Sequence, residues 1–241
     1  MDQATRRVGE LGSRTWESEL GRSPLVILPV GALEAHGPHL PLAADQIQAE
    51  HTAAELAERE HGLVLPSLAY GVCRGARRFP GTVALSSSAL ATLTGELVTN
   101  AGRMGVRRLL VLSGHAEAPH MAALKEGADG ALARGGSLRV MVISDYEFVY
   151  ELRGTLAPAS DGHAGLLETS RVLSMTPELV GPVRPSGTDH RPKHRVGEST
   201  PEEWPESVVG DPGAASAELG RKVQEHVLRR LQDALAREMP A

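Results

Sequence analysis

The architecture follows from one stretch, Leu28-Pro29-Val30-Gly31-Ala32-Leu33-Glu34-Ala35-His36-Gly37-Pro38-His39-Leu40-Pro41-Leu42-Ala43-Ala44-Asp45. The apolar run over 24–30 predicts a buried strand. Glu34 and His36 follow it two residues apart, so in an extended segment they point to the same side. Asp45 comes after a turn rich in Pro and Gly and opens a predicted helix. A carboxylate, an imidazole and a second carboxylate after one strand end are typical of a metal site.

The same residues also allow a purely structural interpretation. Asp45 and Gln48 have the spacing of a helix N-cap and its capping-box partner. In that interpretation Glu34 is solvated and His36 caps a turn. This stretch alone leaves both interpretations open, and the rest of the chain has to decide between them.

Composition bounds the class of protein. The chain has 241 residues, 41% of them hydrophobic and 23% charged, which suits one large α/β domain or two small ones. A net charge of −5 and an aromatic share of 3% argue against nucleic-acid binding. No apolar run approaches the ~18 to 20 residues of a membrane span, and the N-terminal residues lack an apolar signal segment. We therefore expect a cytoplasmic enzyme with no membrane or nucleic-acid partner.

Cys73 is the single cysteine. One cysteine excludes a disulfide within the chain, and it excludes a cage of several thiolates around a metal. We therefore expect any metal to be held by nitrogen and oxygen ligands.

Apolar strands alternate with helices along the whole chain. Strands are predicted over 24–30, 63–68, 82–85, 108–113 and 138–144. Helices are predicted over 45–60, 89–104, 119–134 and 214–238, with one more ending near 174. On the first of these we expect Ile47, His51, Ala54 and Leu56 to face inward.

This alternation predicts a single α/β domain over 1–241, with a mainly parallel sheet between two helix layers in a three-layer α/β/α arrangement. The segment 182–205 has no periodicity and five prolines. We expect it to form an irregular excursion or lid.

Acidic and imidazole side chains recur at the predicted strand ends and helix starts. They form three clusters, which are Glu34 with His36, His115 with Glu117, and His163 with Glu168. Function gathers outside the carboxyl ends of parallel strands, so we expect these clusters to converge with Asp45. Together they exceed the needs of one tetrahedral zinc ion. A pair of divalent ions bridged by a carboxylate fits better.

Each of these side chains has a structural alternative when taken singly. His115 after a strand is more often a packed histidine than a ligand. Glu117 near a helix start can favour the helix dipole. Glu168 can pair with Arg171 on a solvated helix face. The metal hypothesis therefore depends on the joint order of the motifs in the chain.

That order resembles the signature of the creatininase (creatinine amidohydrolase) family. The matching segments are 28–45, Phe79-Pro80-Gly81-Thr82, 113–117, 163–170 and Gly210-Asp211-Pro212. The resemblance implies a cytoplasmic α/β/α hydrolase that acts on a small molecule with two divalent metals, which can be zinc, manganese or iron. It also implies a homo-oligomer, often a hexamer.

The resemblance assigns roles to the clustered residues. It implies that one metal is held by Glu34, Asp45 and His115. It implies that the other is held by His36, Asp45 and Glu168, so that Asp45 bridges the two. Glu117 would be a proton shuttle or an added ligand, and His163 the catalytic histidine. His163 can face the metals together with Glu168 only if it precedes the helix proper.

The chain departs from the family in two places. Ser113 and Ala118 stand where many members have asparagines. Losing such supporting residues can weaken a metal site. Creatinine hydrolases also carry a tryptophan just before the catalytic histidine. Here Asp161 occupies that segment, and the two tryptophans are Trp16 and Trp204. This departure disfavours creatinine itself as the substrate.

A glycine-rich loop over 70–82 carries Arg74, Arg77 and Arg78. Guanidinium groups suit phosphate or carboxylate, so these arginines and Asp161 are candidate substrate-binding residues. The alternative is an ordinary solvated loop. If the arginines do bind substrate, the substrate is anionic, and a phosphorylated formamide fits better than creatinine.

The leading hypothesis is a metal-dependent amidohydrolase that cleaves a non-peptide amide or cyclic amide C–N bond. Two alternatives come from the same family: a deformylase of a formamidopyrimidine ribonucleotide and a peptidase of the mycofactocin precursor. A third alternative is a non-catalytic, metal-stabilised binding or oligomerisation protein. It is motivated by Ser113 and Ala118 in place of the asparagines.

Overall fold

The computed structural model describes residues 6–192, 194–195 and 200–240. Four parallel strands form one sheet in the order β2-β1-β3-β4. The strands are β1 (Leu25–Val30), β2 (Leu63–Val64), β3 (Arg108–Ser113) and β4 (Arg139–Ser144). The helices are α1 (Ser13–Leu20), α2 (Ala44–Glu60), α3 (Ser87–Arg103), α4 (Ala118–Leu132), α5 (Tyr146–Val149), α6 (Leu166–Met175) and α7 (Ala217–Glu238).

The central strands are apolar because helices cover both faces of the sheet. Successive side chains of a strand point to opposite faces. Leu25 and Ile27 of β1 accordingly pack in a core cluster with α2, α6 and α7. Val26 and Leu28 pack in a second cluster with α3 and α4. The α/β/α arrangement expected from the alternation is confirmed.

Two predicted strands differ from the structure. The strand expected over 63–68 is only two residues long, because Pro66 lacks the N–H that a ladder needs. The prediction of a strand over 82–85 was wrong. Val83 makes one antiparallel bridge to Leu33, and its side chain is 51% exposed, so no core face holds the segment in a ladder.

Two glycines bring the start of α2 against the ends of β1 and β3. Gly31 follows β1, and a Cβ there would lie 2.5 Å from the Cα of Gln46. Gly114 follows β3, and a Cβ there would collide with the carbonyl oxygen of Asp45. Only glycine permits such close backbone approach. The two glycines therefore set Asp45 directly over the strand ends.

The Gly114→Ala substitution should destabilise the protein by about 1–3 kcal/mol, because the added methyl must displace the start of α2. Gly130 provides a matched control inside α4, where a Cβ would meet open space. Gly130→Ala should stabilise by up to ~1 kcal/mol through helix propensity. Urea unfolding measures both changes. Equal stabilities of the two variants would contradict the close-packed arrangement at Gly114.

Across the described residues, no helix has both the length and the apolar character needed to cross a lipid bilayer.

Candidate metal centre

Five side chains predicted as metal ligands converge at the carboxyl ends of β1 and β3. Each is at most 6% exposed. They are Glu34 and His36 after β1, Asp45 on α2, His115 after β3, and Glu168 on α6. Buried carboxylates are costly unless they are paired or bind a cation. The cluster therefore requires positive charge.

His36 directs an unprotonated ring nitrogen toward two carboxylates. Its Nδ1 lies 3.0 Å from the backbone oxygen of Glu34. A carbonyl oxygen only accepts, so Nδ1 carries the hydrogen. Nε2 is then the unprotonated nitrogen of the neutral ring. It lies 3.2 Å from Asp45 Oδ1 and 3.4 Å from Glu168 Oε1.

His115 repeats this arrangement with its ring reversed. Nε2 donates to the backbone oxygen of Val72 at 3.0 Å. Nδ1 then faces Glu34 Oε1 at 3.1 Å and Asp45 Oδ2 at 3.0 Å. Among the described residues Asp45 Oδ2 has no hydrogen-bond donor. A lone pair therefore faces carboxylate oxygens here as well.

These contacts are repulsive unless a proton or a metal ion lies between the atoms. His36, Asp45 and Glu168 place one ligand atom each within 4.8 Å of one another. His115 Nδ1 contacts both the second oxygen of Asp45 and one oxygen of Glu34. The donor set thus fits two ions with Asp45 between them. Imidazole and carboxylate ligands suit zinc, manganese or iron.

The same electrostatics shift the ionisation of the ligands. Burial alone would lower the pKa of His36, but the charges of Asp45 and Glu168 outweigh it and raise that pKa well above its ordinary value. The pKa of His115 is raised in the same way, against burial, by Glu34 and Asp45. The pKa of Asp45 is lowered despite burial, chiefly by the charges of the two imidazoles.

A thiol lies within ligand distance of the cluster, which sequence reasoning missed. The Cys73 sulfur and ligand atoms of Glu34 and His115 lie within 4.8 Å of one another. Burial, followed by the charge of Glu34, raises the pKa of the thiol. The expectation of only nitrogen and oxygen atoms around the metals therefore overlooked one sulfur.

Three groups hold the Glu168 carboxylate in place. The Tyr146 hydroxyl donates to Oε1, and Gln48 Nε2 lies 3.1 Å from the same oxygen. The N–H of Ala164 donates to Oε2 at 2.6 Å. Ala164 has a φ of 53°, a left-handed conformation that is unusual for alanine. The backbone is thus bent to present its N–H to this ligand.

Tyr146→Phe removes the hydroxyl that orients Glu168, so we expect metal binding to weaken about 10–100-fold. Competition with a chromophoric chelator measures the affinity. Tyr70→Phe is the control, because Tyr70 is 47% exposed. An unchanged affinity in Tyr146→Phe would show that the hydroxyl does not position Glu168.

Glu117 is held beside the metal ligands by backbone amides. Its oxygens accept from Arg74 N at 2.7 Å and from Gly75 N at 3.0 Å. Oε2 lies 3.8 Å from His115 Nε2. Although Glu117 is the first residue before α4, its side chain does not cap that helix. Burial opposes its ionisation, but the His115 imidazole and the two amides lower its pKa.

His163 precedes α6 and so faces the same cluster as Glu168. Its Nε2 donates to the backbone oxygen of Ala35 at 2.8 Å, which leaves Nδ1 without a hydrogen in the neutral ring. Nδ1 lies 3.7 Å from Glu34 Oε1. The ring stacks on His36 with centroids 4.2 Å apart. His163 therefore stands beside the ligands with a nitrogen able to accept a proton.

A cavity of about 160 Å³ opens over the cluster. Glu117 and His163 line it together with Tyr146, Tyr150, Trp204 and Arg191. Arg191 and Trp204 belong to the segment 182–205. Trp204 is 3% exposed and contacts His163 edge-on at 5.0 Å. Its position far along the chain gave no sign that a tryptophan would reach the site.

The other candidate substrate-binding residues lie elsewhere. Within the described part of the chain, the side chains of Arg74, Arg77 and Arg78 are exposed and do not line the cavity. The Arg74 guanidinium bonds Ser87 Oγ at 3.1 Å. Asp161 accepts from the amides of Leu166 and Leu167 and so caps the start of α6. Substrate binding by these residues stays a prediction that this geometry does not support.

Ser113, which replaces a family asparagine, organises the turn that carries His115. Its hydroxyl donates to the backbone oxygen of His115 at 2.7 Å. Ser113 Oγ also accepts from His115 N at 3.1 Å and lies 3.1 Å from His120 Nε2. A serine therefore provides local support for this ligand.

Fold and site together define a hydrolase-type α/β/α protein with a carboxylate–imidazole metal centre at the ends of its parallel strands. The family model for Creatininase, described as creatinine amidohydrolase, matches residues 10–235. This chain belongs to the creatininase family, whose members are hydrolases that act on C–N bonds.

Two curated relatives match almost the whole chain. The creatinine amidohydrolase of Pseudomonas putida is 30% identical and covers 97% of each chain. A mycofactocin precursor peptide peptidase of Mycobacterium tuberculosis is 31% identical and covers 97% of this chain and 93% of its own. A solved manganese creatininase superimposes with a TM-score of 0.89 at 28% identity, over 98% of this chain and all of its own. A mutant creatininase of Zn–Zn type gives 0.88 at 28% identity, over 98% and 99% of the two chains.

Proposed function

We propose that this protein hydrolyses an amide or cyclic amide C–N bond of a small molecule, with two divalent metal ions per chain. Glu34, Asp45 and His115 would hold one ion. His36, Asp45 and Glu168 would hold the other. The supporting observation is the pair of bare imidazole nitrogens that face opposite oxygens of Asp45, at 3.2 Å and 3.0 Å.

When bound, two divalent ions lower the pKa of a shared water and polarise the amide carbonyl. This chain's own residues then move the protons. Glu117, fixed by two backbone amides, is placed to accept a proton from the attacking water. As the water oxygen bonds to the carbonyl carbon, the C–N bond breaks and the leaving nitrogen needs a proton. The proton that Glu117 takes from the water can serve for this, and His163 Nδ1, which carries no hydrogen in the neutral ring, is placed to take it up and pass it to the leaving nitrogen.

The size of the cavity favours a small substrate. Its volume of about 160 Å³ is below the 300–1,000 Å³ of typical drug-sized ligand pockets. The two named relatives are equally similar, at 30% and 31%, so a creatinine-like molecule and a peptide end remain alternative substrate classes. The deformylase alternative drew on Arg74, Arg77 and Arg78, whose side chains lie outside the cavity.

The experiment is elemental analysis of the purified protein, followed by a panel of amides. We expect about two ions per chain. Creatinine, N-formyl compounds and short peptides are tested before chelation, after chelation, and after Mn²⁺ or Zn²⁺ is restored. Turnover that disappears and returns supports the proposal. A protein that takes up no metal, or hydrolyses nothing in the panel when loaded, favours the non-catalytic alternative.

The family resemblance also implies a homo-oligomer, often a hexamer. Sedimentation velocity tests this proposal directly, and a monomer at micromolar concentration would contradict it.

A further inference from the structure

Arg191 forms part of the cavity wall opposite the acidic cluster. Its guanidinium lies over the Trp204 ring, 4.1 Å from the centroid. Nε and Nη2 make a two-pronged pair with Asp189, at 2.8 Å to Oδ1 and 2.6 Å to Oδ2. Stacking on one side and pairing on another fix the plane of the guanidinium.

The third nitrogen of this guanidinium remains available. Nη1 lies against Gly75, where a Cβ would approach it to 2.5 Å, and Gly75 also lines the cavity. Among the described residues Nη1 has no acceptor. A side chain at position 75 would push the arginine away. The glycine therefore allows a charged donor to reach the cavity.

Trp204 contributes a second unused donor to the same wall. The residue is 3% exposed, and its indole N–H has no acceptor within the described chain. Buried donors without a partner are rare, because each forfeits its hydrogen bonds to water. Phe79 and His163 pack edge-on against the ring at 5.6 Å and 5.0 Å and hold it in place. The wall formed by Arg191 and Trp204 thus offers hydrogen-bond donors. The floor of the cavity offers acceptors, because it is formed by the carboxylates of Glu34, Asp45, Glu117 and Glu168.

Charge explains why a donor wall is useful here. Glu34, Glu117, Asp45 and Glu168 carry four negative charges, which two divalent ions would balance. The hydrogen bonds to Asp189 and its charge, followed by the charges of Glu117 and Glu34, raise the pKa of Arg191 against the effect of burial. An anionic group at this wall would meet a guanidinium rather than the acidic floor.

We propose that the substrate is an amide that carries a carboxylate, and that Arg191, seated on Trp204, recognises that carboxylate. The inference rests on the proposed function, because it assumes that the scissile amide lies over the metal centre. A planar carboxylate offers two acceptor oxygens, which match the Nη1 and indole donors. Arg191 is then a specificity-determining residue.

The test compares two ligands that differ only in this group. N-acetylglycine and its neutral analogue N-acetylglycinamide are titrated into manganese-loaded protein by calorimetry. We expect the carboxylate to bind about tenfold tighter or more. Arg191→Gln should abolish this preference. Arg191→Lys keeps the positive charge but loses the planar guanidinium with its paired donors, so it should retain part of the preference for the carboxylate.

Arg195→Gln is the matched control, because Arg195 lies on the same segment, pairs with Glu203, and does not line the cavity. It should leave the preference unchanged. The inference is overturned if the wild-type protein shows no preference, if Arg191→Gln keeps it, or if Arg195→Gln removes it as well. The readout is binding, so a protein that prefers the carboxylate but hydrolyses no amide would overturn only the proposed function.

Discussion

Replacing Asp45 by alanine should remove both metal ions and lower amide hydrolysis by roughly a thousandfold or more. The reason is geometric, since each oxygen of this carboxylate faces a different imidazole. Without it, Glu34 with His115 and His36 with Glu168 become two incomplete sites. Elemental mass spectrometry on the purified variant measures the metal content, and the rate is measured with the best amide from the panel.

The control for Asp45→Ala is Glu58→Gln on the same helix. The Glu58 side chain is 63% exposed and pairs with Arg6, far from the cluster. This variant should keep two ions and full activity. If Asp45→Ala lost only one ion, the bridging assignment would be wrong and the two ions would be held independently.

His163→Ala should separate chemistry from metal binding. The imidazole stacks on His36 and lies 3.7 Å from Glu34, yet its Nδ1 is placed for proton transfer rather than ligation. We expect kcat to fall about 10²–10⁴-fold while metal content stays the same. Single-turnover kinetics on manganese-loaded protein, with metal analysis of the same sample, measures both quantities.

His51→Ala serves as the control for this variant, because His51 lies on α2 with its side chain 41% exposed. It should change neither quantity. Loss of one metal ion in His163→Ala would instead make this residue a ligand. The triad of Glu34, His36 and His163 within 4.8 Å makes that outcome a real alternative to proton transfer.

The sequence predicted the parts of the fold that depend on continuous apolar runs. The strand over 108–113 matches β3 at both ends, because every side chain in it is buried. The helix over 45–60 also matches α2, but of its predicted inward residues only Leu56 is buried. The periodicity placed Ile47 and His51 inward, whereas the helix buries Asp45, Gln48 and Thr52. A helix that faces a metal centre buries polar side chains, so hydrophobicity points to the wrong face.

The residues of the candidate site also fall into some that the sequence predicted and some that it did not. Glu34, His36 and Asp45 could be predicted because they lie close together in a short motif. Trp204 and Arg191 could not, because the sequence around them has no periodicity that would predict where they lie. The arginines of the loop over 70–82 were chemically as suitable as Arg191 for binding an anionic substrate. Only the path of the chain shows that Arg191 lines the cavity and that they do not.

The close approach at Gly31 and Gly114 has a consequence for laboratory evolution. Because backbone packs on backbone beneath Asp45, the layer under the acidic floor has no side chain that can be shortened to deepen the cavity. New substrate specificity must therefore come from the wall. A combinatorial library that varies Tyr150, Arg191 and Trp204 should yield many folded, metal-loaded variants with altered selectivity. A library at positions 31 and 114 should yield mostly insoluble protein.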